Sequence, residues 1–474
     1  MSLGNKALSG TIWATIDRFG IMALQFIVNL ILARLLTPAD YGCIGMLAIF
    51  IIVSQVLIDG GFGSALIQKR EPTQEDYSTI FFWNLFFAIA LYVILFFASP
   101  WIALFFKIPL LKDVLRVLGC ILIINSFSIV QNNRLRKQLA LKKLACINIG
   151  ALVVASCIAI ILAYSGFGVW SLVVMQLLNA SMFTILIWMF EKWRPSLCFS
   201  LRAMKELFHF GGYLLAANIL QEVCRNLQGL IIGRKFSSTE MGLYSQAKKL
   251  DDVTSLTLPN IIVQVMFPIY SQLQNDKRKM GDTLRMNVRL ITFVTFPLLI
   301  LLIIVAHPLI LFLYGSKWEA TVPYFQVLCV GGLFACLQNI NYYAIASLGQ
   351  SRTLFRWSFY KWGALLVLLL VGAKWGMYGI LWGMVLSALN IYLVNAGLVA
   401  KHLHYSVLGQ IRDILPVGGL AVSAAIVTSI CIHFYSMHFL FQILLYFLIY
   451  LGTFSLLDVK VKADVANIMR IIFR

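Results

Sequence analysis

Stretches of about 20 or more mainly apolar residues recur along the whole chain, and only short polar breaks separate them. Their continuity predicts helices, because the strands of a membrane barrel would alternate apolar and polar positions over roughly ten residues. A helix needs about 20 such residues to cross the hydrocarbon core of a bilayer. The pattern predicts fourteen segments: 11–35, 42–67, 78–104, 113–132, 145–164, 168–190, 208–232, 242–272, 287–313, 322–347, 357–373, 377–399, 414–434 and 438–457. The expected fold class is all-α, a polytopic integral membrane protein of about 14 transmembrane helices. Met1–Gly10 is polar, and the apolar stretch behind it is long enough to span and lacks a small-residue cleavage site. No removable signal peptide is therefore expected.

Composition adds a charge problem to this pattern. Of the 474 residues, 61% are hydrophobic and 12% are charged, yet the net charge is +19. A soluble chain carries about 25% charged residues. In such a chain an excess of this size would suggest nucleic acid; here the basic residues are scattered between apolar runs, so no nucleic-acid partner is expected. With the N-terminus inside, twenty-four of the 38 Lys and Arg fall in alternate loops and the C-terminal tail. Seven lie on the opposite side, and seven within or at the ends of helices. That bias follows the positive-inside rule with both termini cytoplasmic. The nine cysteines form no CxxC pair and no cluster with His, so neither a disulfide nor a metal is expected. There is no GxxxxGK[ST] loop and no large loop bearing catalytic acids, so an enzyme is not expected and no cofactor is implied.

An internal repeat divides the chain. Leu30–Gly42 closes the first segment, and Leu230–Gly242 closes the seventh with four of thirteen positions identical and Leu/Ile, Ala/Gly, Thr/Ser and Asp/Glu exchanges among the rest. Gly168–Asn179 matches Gly379–Asn390 in the same order, at the sixth and twelfth segments. Six helices per repeat is an even number, so both halves enter the membrane from the same side. The expected organisation is an N-terminal six-helix lobe at 1–206 and a pseudo-symmetric lobe at 207–410. Residues 411–474 then supply two additional helices and a cytoplasmic tail. Parallel repeats of this kind hold a substrate between them and rock between inward and outward states.

Ionisable residues inside a membrane are costly and face the bundle interior or a watery cavity. In the first segment Thr11, Thr15, Arg18, Gln25 and Asn29 fall within roughly 80° of helical arc. The seventh carries Asn218, Glu222 and Arg225 on one face. The eighth carries Ser245, Lys249 and Asp252, flanked by Lys248 and Asp251, and the second ends on Gln55 and Asp59. The candidate ligand-facing cations are Arg18, Arg225, Lys248 and Lys249, with Thr15, Gln25, Asn29, Asn218 and Asp252 as polar lining. Glu222, Asp59 and Asp17 are the acids that could serve a coupling cation. The i,i+3 and i,i+4 pairs Glu222–Arg225, Lys249–Asp252 and Lys248–Asp252 leave a second reading open, in which these charges neutralise one another. Arg18 alone has no opposite charge on its face.

Ala33–Gly42, Asp59–Lys69 with Phe82-Trp83-Asn84, Gly168-Val169-Trp170 and Gly242–Ala247 together resemble the motifs of bacterial polysaccharide flippases. The similarity is closest to the colanic acid and teichuronic acid exporter type, within the multidrug/oligosaccharidyl-lipid/polysaccharide exporter superfamily. The resemblance spans essentially the whole chain and is clearest over 10–270. It implies two six-helix lobes around a central, often cationic cavity. It also implies translocation of an undecaprenyl-pyrophosphate-linked oligosaccharide across the bacterial inner membrane for capsule, O-antigen or exopolysaccharide synthesis. Membrane lipids, a polysaccharide polymerase and assembly proteins are the partners it implies. Its motifs mark fold and transfer no catalytic residue. The alternatives are a cation-coupled small-molecule exporter of the same superfamily and a membrane-bound enzyme of polysaccharide synthesis.

Overall fold

A computed structural model describes the backbone of residues 3–63, 66, 69, 71–434 and 438–456; the side chains of 3–18, 203, 206–214, 217, 265 and 351 lie outside the described residues. Among the described residues every regular element is helical. The chain divides into two compact units, Met1–Gly242 and Leu243–Arg474.

The first unit contains α1 (Leu3–Leu35), α2 (Pro38–Asp59), α3 (Gln74–Phe106), α4 (Leu110–Leu118), α5 (Cys120–Ser126), α6 (Ile129–Lys137), α7 (Leu141–Tyr164), α8 (Val169–Phe190) and α9 (Leu201–Lys235), together with the start of α10 (Ser238–Asp252). Helix starts follow local chemistry. Thr37 caps α2, with Pro38 in the first turn and Asp40 completing a reciprocal capping box; Thr73 and Asp76 do the same for α3. Gly60, at φ 58°, ends α2 in the left-handed conformation, so this helix stops short of residue 67, the end expected from the apolar run. The expected fourth segment, 113–132, is not one straight helix. It is α4, α5 and α6, and Leu110–Ser126 meets α6 at a 42° bend. Phe62, Tyr77, Phe81 and Trp193 form an aromatic core within this unit.

The repeat Leu30–Gly42 and Leu230–Gly242 has a physical basis here. Thr37 Oγ1 accepts from the Asp40 amide at 3.4 Å, and Ser237 Oγ accepts from the Glu240 amide at 3.2 Å. The two helix starts so formed cross each other reciprocally. A Cβ on Gly42 would lie 2.6 Å from the Ser238 carbonyl carbon, and a Cβ on Gly242 would lie 2.6 Å from that of Pro38. No side chain fits either place. Arg234, the repeat's counterpart of Arg34, donates to the Phe105 carbonyl at 2.6 Å and lies over the Phe105 ring, holding the end of α3.

The second unit continues α10 into a π-turn at Val253–Thr257. It adds α11 (Leu258–Gln272), α12 (Lys277–Ile304), α13 (Ala306–Tyr314), α14 (Thr321–Ser347), α15 (Ser351–Gly372), α16 (Gly376–Leu403), α17 (Val407–Phe434) and α18 (Phe439–Leu456). Its core joins α11, α12, α14 and α16 through residues such as Met266, Met280, Ile291, Ile340 and Ala396. α17 and α18 dock on α12 through Ala421, Ala424, Tyr446 and Tyr450. Two phenols fasten this docking, Tyr446 donating to the Ala421 carbonyl at 3.3 Å and Tyr450 to the Phe293 carbonyl at 3.2 Å.

Each of the fourteen expected segments falls on a described helix or a bent set of helices. Eight described segments are long and apolar enough to cross a bilayer, or ten if each of two bent pairs is one span; Arg352–Leu403, which runs through α15 and α16, counts once. Their outward faces are apolar where a soluble helix would be charged: on α3, Trp101 is 69% exposed and Leu104 is 72% exposed. The protein is an all-α multi-pass membrane protein.

Candidate functional site

The candidate residues of the first unit are those of α1, α2 and α9. Thr15, Arg18 and Asp17 have their side chains outside the described residues. Further along the same helix, Gln25 is exposed and Asn29 half-buried. Asp59, a candidate coupling acid, is the last residue of α2, and its carboxylate lies against the turn that follows, close to Gly63. A Cβ on Gly63 would lie 2.9 Å from Asp59 Oδ1 and 3.0 Å from Asn133 Nδ2, so these two side chains crowd the backbone there. On α9, Asn218 is half-buried, and Glu222 sits 4.0 Å from Arg225, whose side chain is largely exposed. Glu222 also accepts from Asn226 Nδ2 at 3.4 Å. This face therefore holds a loose ion pair of the neutralising kind, with the cation outermost.

In the second unit the structure changes the reading of Lys248. Its ammonium lies 2.8 Å from Asp251 Oδ2 and 2.8 Å from Asp252 Oδ1. Asp251 is buried, and Ser255 donates to its other oxygen. The π-turn that begins at Val253 follows this triad directly. It is accommodated by Gly332 of α14, where a Cβ would collide with Ser255 Oγ and lie 3.1 Å from Asp251 Oδ1. One lysine thus stands between two carboxylates, and the cluster has one acid in excess. Lys248 is held within it by Asp251 and Asp252, the arrangement that the neutralising reading expects of the Lys248–Asp252 pair. Lys249 is exposed on the next face of the helix.

Three charged groups outside the expected set are as prominent. Asp413, on α17, is held by Arg285 at 2.6 Å and Arg289 at 2.7 Å from α12, and accepts from Tyr405 at 2.9 Å. Arg134 of α6 lies 3.2 Å from Glu191 and over the Tyr77 and Trp193 rings. Lys361 of α15 is buried, with its ammonium 5.3 Å from the Tyr342 ring centroid. Periodicity could not find these partners, because each pairing joins separate elements of the chain. The available signal for Lys361 was its position inside an apolar run, shared with several other cations. Among the described residues no three His, Cys, Asp or Glu side chains are grouped to hold a metal.

Residues 31–323 match the family described as polysaccharide biosynthesis protein, which is more than half of the chain. The chain belongs to this family. It is 28% identical over 358 residues to the teichuronic acid biosynthesis protein TuaB of Bacillus subtilis (strain 168), covering 75% of this chain and 74% of the relative. It is 24% identical over 397 residues to the lipopolysaccharide biosynthesis protein WzxC of Escherichia coli (strain K12), covering 83% and 80%. The succinoglycan biosynthesis transport protein ExoT of Rhizobium meliloti (strain 1021) is 25% identical over 350 residues, covering 73% and 70%. Among solved structures, the lipid II flippase MurJ in an inward closed conformation superposes with a TM-score of 0.76 at 14% identity, over 97% of this chain and 99% of that one. An inward-facing multidrug resistance MATE family transporter of the MOP superfamily gives 0.63 at 14% identity, over 83% and 98%. These likenesses establish the fold, and the family match establishes a membrane transporter of polysaccharide biosynthesis.

Proposed function

We propose that the protein is a flippase that moves an undecaprenyl-pyrophosphate-linked oligosaccharide from the cytoplasmic to the outer leaflet of the bacterial inner membrane by alternating access. The observation that carries this reading is the family match combined with a fold shared along almost the whole chain with a lipid II flippase. The physics is consistent with it. A pyrophosphate head must cross a low-dielectric layer, and Arg and Lys side chains offset the loss of its hydration. In this reading the sugars pass through a hydrated cleft while the prenyl tail stays in lipid. Fourteen spans, both termini in the cytoplasm, and duplicated halves at 1–206 and 207–410 followed by two added helices at 411–474 complete the proposal. These halves are units of sequence, whereas the packing units divide at Gly242. Arg18, Arg225, Lys248 and Lys249 are the proposed head-group cations, Lys248 being the one that Asp251 and Asp252 already hold. Thr15, Gln25, Asn29, Asn218 and Asp252 are the proposed polar lining, and polymerase and assembly proteins the proposed partners.

A second reading has one specific observation in its favour. The excess acid at Asp251 and Asp252, beside a π-turn, is what a cation-coupled small-molecule exporter would use. Glu222 is a further candidate for that role. One experiment separates the two: a strain lacking its own flippase is supplied with the wild-type protein or with Arg18→Ala, and surface polysaccharide and drug accumulation are both measured. The expected result is polysaccharide restored by the wild type and lost in Arg18→Ala with the protein still inserted, and drug accumulation unchanged. Full polysaccharide with Arg18→Ala would remove that residue from the mechanism. No restoration by the wild type, together with lowered drug accumulation, would replace the flippase reading by the exporter.

A further inference from the structure

The segment between α8 and α9 has one side fastened to the protein and the other side apolar and uncovered. α8 is 22 residues long, about 33 Å, which matches a hydrocarbon core about 30 Å thick. Residues 191–200 follow it directly and form no helix, so they begin where the chain enters the headgroup layer. Hydrogen bonds fix them along the first turns of α3. Trp193 Nε1 donates to Gln74 Oε1 at 2.5 Å, and Gln74 Nε2 donates to the Arg194 carbonyl at 2.8 Å. The Ser196 amide donates to Ser78 Oγ and the Ser200 amide to Thr79 Oγ1, each at 3.0 Å. Glu191 is paired with Arg134 of α6.

So fastened, the segment has a defined outer side. Successive residues of an extended chain point to opposite sides. Ser196, Cys198 and Ser200 are half-buried, whereas Leu197 is 97% exposed, Phe199 50% and Leu201, the first residue of α9, 69%. Packing within the protein does not account for this row, and an exposed apolar patch marks contact with a membrane or a partner. Charge at the same end favours the membrane. The acids Asp76 and Glu191 are buried and paired with Lys69 and Arg134. Lys192, Arg202 and Lys205 are exposed, and so is Lys143, one turn from the Ile147 that packs on Ile187 of α8. Against these four cations stand two exposed acids, Glu71 and Glu75. Apolar side chains interleaved with Lys and Arg at headgroup depth fit anionic lipid: the apolar groups enter the acyl boundary while the cations stay with the phosphates.

We propose that the α8–α9 connector is a docking surface for anionic phospholipid of the surrounding bilayer. Leu197, Phe199 and Leu201 enter the acyl boundary, and Lys143, Lys192, Arg202 and Lys205 hold the headgroups. Because the connector is fastened to α3 and α6, bound lipid fixes the depth of this end of the first unit. The inference needs only a membrane-spanning fold and is independent of what is transported.

The test places a photoreactive phenylalanine analogue at Leu197 or Phe199 of the full-length protein. Irradiation is carried out in native membranes and in nanodiscs that mix phosphatidylcholine with a minority of phosphatidylglycerol, and the adducts are identified by mass. Phospholipid adducts are expected at both positions, with phosphatidylglycerol enriched several-fold over its share of the bilayer. The combined variant Lys143→Gln, Lys192→Gln, Arg202→Gln and Lys205→Gln is expected to abolish the enrichment. A matched variant of the second unit, Lys277→Gln, Arg278→Gln, Lys401→Gln and Arg412→Gln, is expected to retain it. If the first variant fails to insert, the wild type in high salt makes the same comparison, because screening weakens exposed charge. Adducts with a protein in place of lipid in native membranes overturn the inference in favour of an assembly partner. Lipid adducts in simple proportion to the bilayer, or no adducts, overturn it too. So does an equal loss of enrichment in the matched variant, since the charge of the whole molecule would then be the cause.

Discussion

At the scale of single residues, ionisable groups in this protein are governed by partner geometry. Asp413 is the clearest case. Two guanidinium groups from α12 and the Tyr405 hydroxyl all converge on one buried carboxylate, and they tie α17 to the core of the second unit. Removing it strands Arg289, which is itself nearly buried. Asp413→Ala is expected to cost about 3–5 kcal/mol, the range for breaking a buried pair, and to lower the thermal midpoint of the purified protein. Tyr405→Phe removes one hydrogen bond and is expected to cost about 1 kcal/mol. Tyr405, in the loop between α16 and α17, carries a pH signature as well. Burial, and then the nearby Asp413 carboxylate, hold its phenol well above the ordinary value of 10.0. The unfolded chain gives up that proton more readily, so the stability it contributes is complete below about pH 10 and is lost as pH rises further. Thermal midpoints between pH 8 and 11 should fall less steeply in Tyr405→Phe than in the wild type; parallel curves would remove the phenol from the account.

At the scale of elements, the repeated helix start is the feature with the most consequences. Thr37–Gly42 and Ser237–Gly242 each combine a capping hydroxyl, an acid three residues on and a glycine two residues after that. The cap explains the hydroxyl and contributes to the preference for an acid near the helix N-terminus. It does not explain the glycine. The crossing does, since each glycine lies against the backbone carbonyl of the other helix start. Gly42→Ala and Gly242→Ala are each expected to force the helix starts apart, at about 1–3 kcal/mol or more. Gly397→Ala, in α16 where a Cβ meets nothing within 4 Å, is expected to be near neutral. Thermal midpoints of the three variants check this, and equal values for all three would refute the close crossing. The same comparison shows why the repeat was visible before its purpose was. Two copies of a motif can be seen in the chain alone, whereas contact between the copies is a fact about space.

At the scale of the whole molecule, charge and hydropathy act together. The apolar runs set where the chain can cross, and the uneven distribution of 38 basic residues sets which way it faces. A fluorescent protein that folds only in the cytoplasm, fused after Arg474, is expected to fluoresce, and alkaline phosphatase at the same place to stay inactive. The opposite pair of results would invert the orientation and with it the expectation that the basic first turns of α12 (Lys277–Arg285) and α15 (Arg352–Arg356) lie on the cytoplasmic side. Element existence and type were legible throughout, because a long apolar run in lipid has few alternatives to a helix. Breaks were less legible. The bend within 113–132 and the π-turn after Asp252 interrupt runs whose hydropathy continues without a change.

The sequence by itself determined the class of the protein, most of its helical segments, the repeated helix-start motif and the family to which it belongs. Each of these depends on local composition or on residues close in the chain. Which charges are spent on one another was decided only by the tertiary structure. Lys248 could be read as facing a ligand or as paired with Asp252, and the structure sets it between Asp251 and Asp252; Lys361 was one more interior cation, and the structure lays it against the Tyr342 ring. The physical reason is range. Hydrophobic burial is summed along a helix and can be read along it, whereas the fate of a buried charge is settled within about 4 Å, by groups that folding brings from elsewhere.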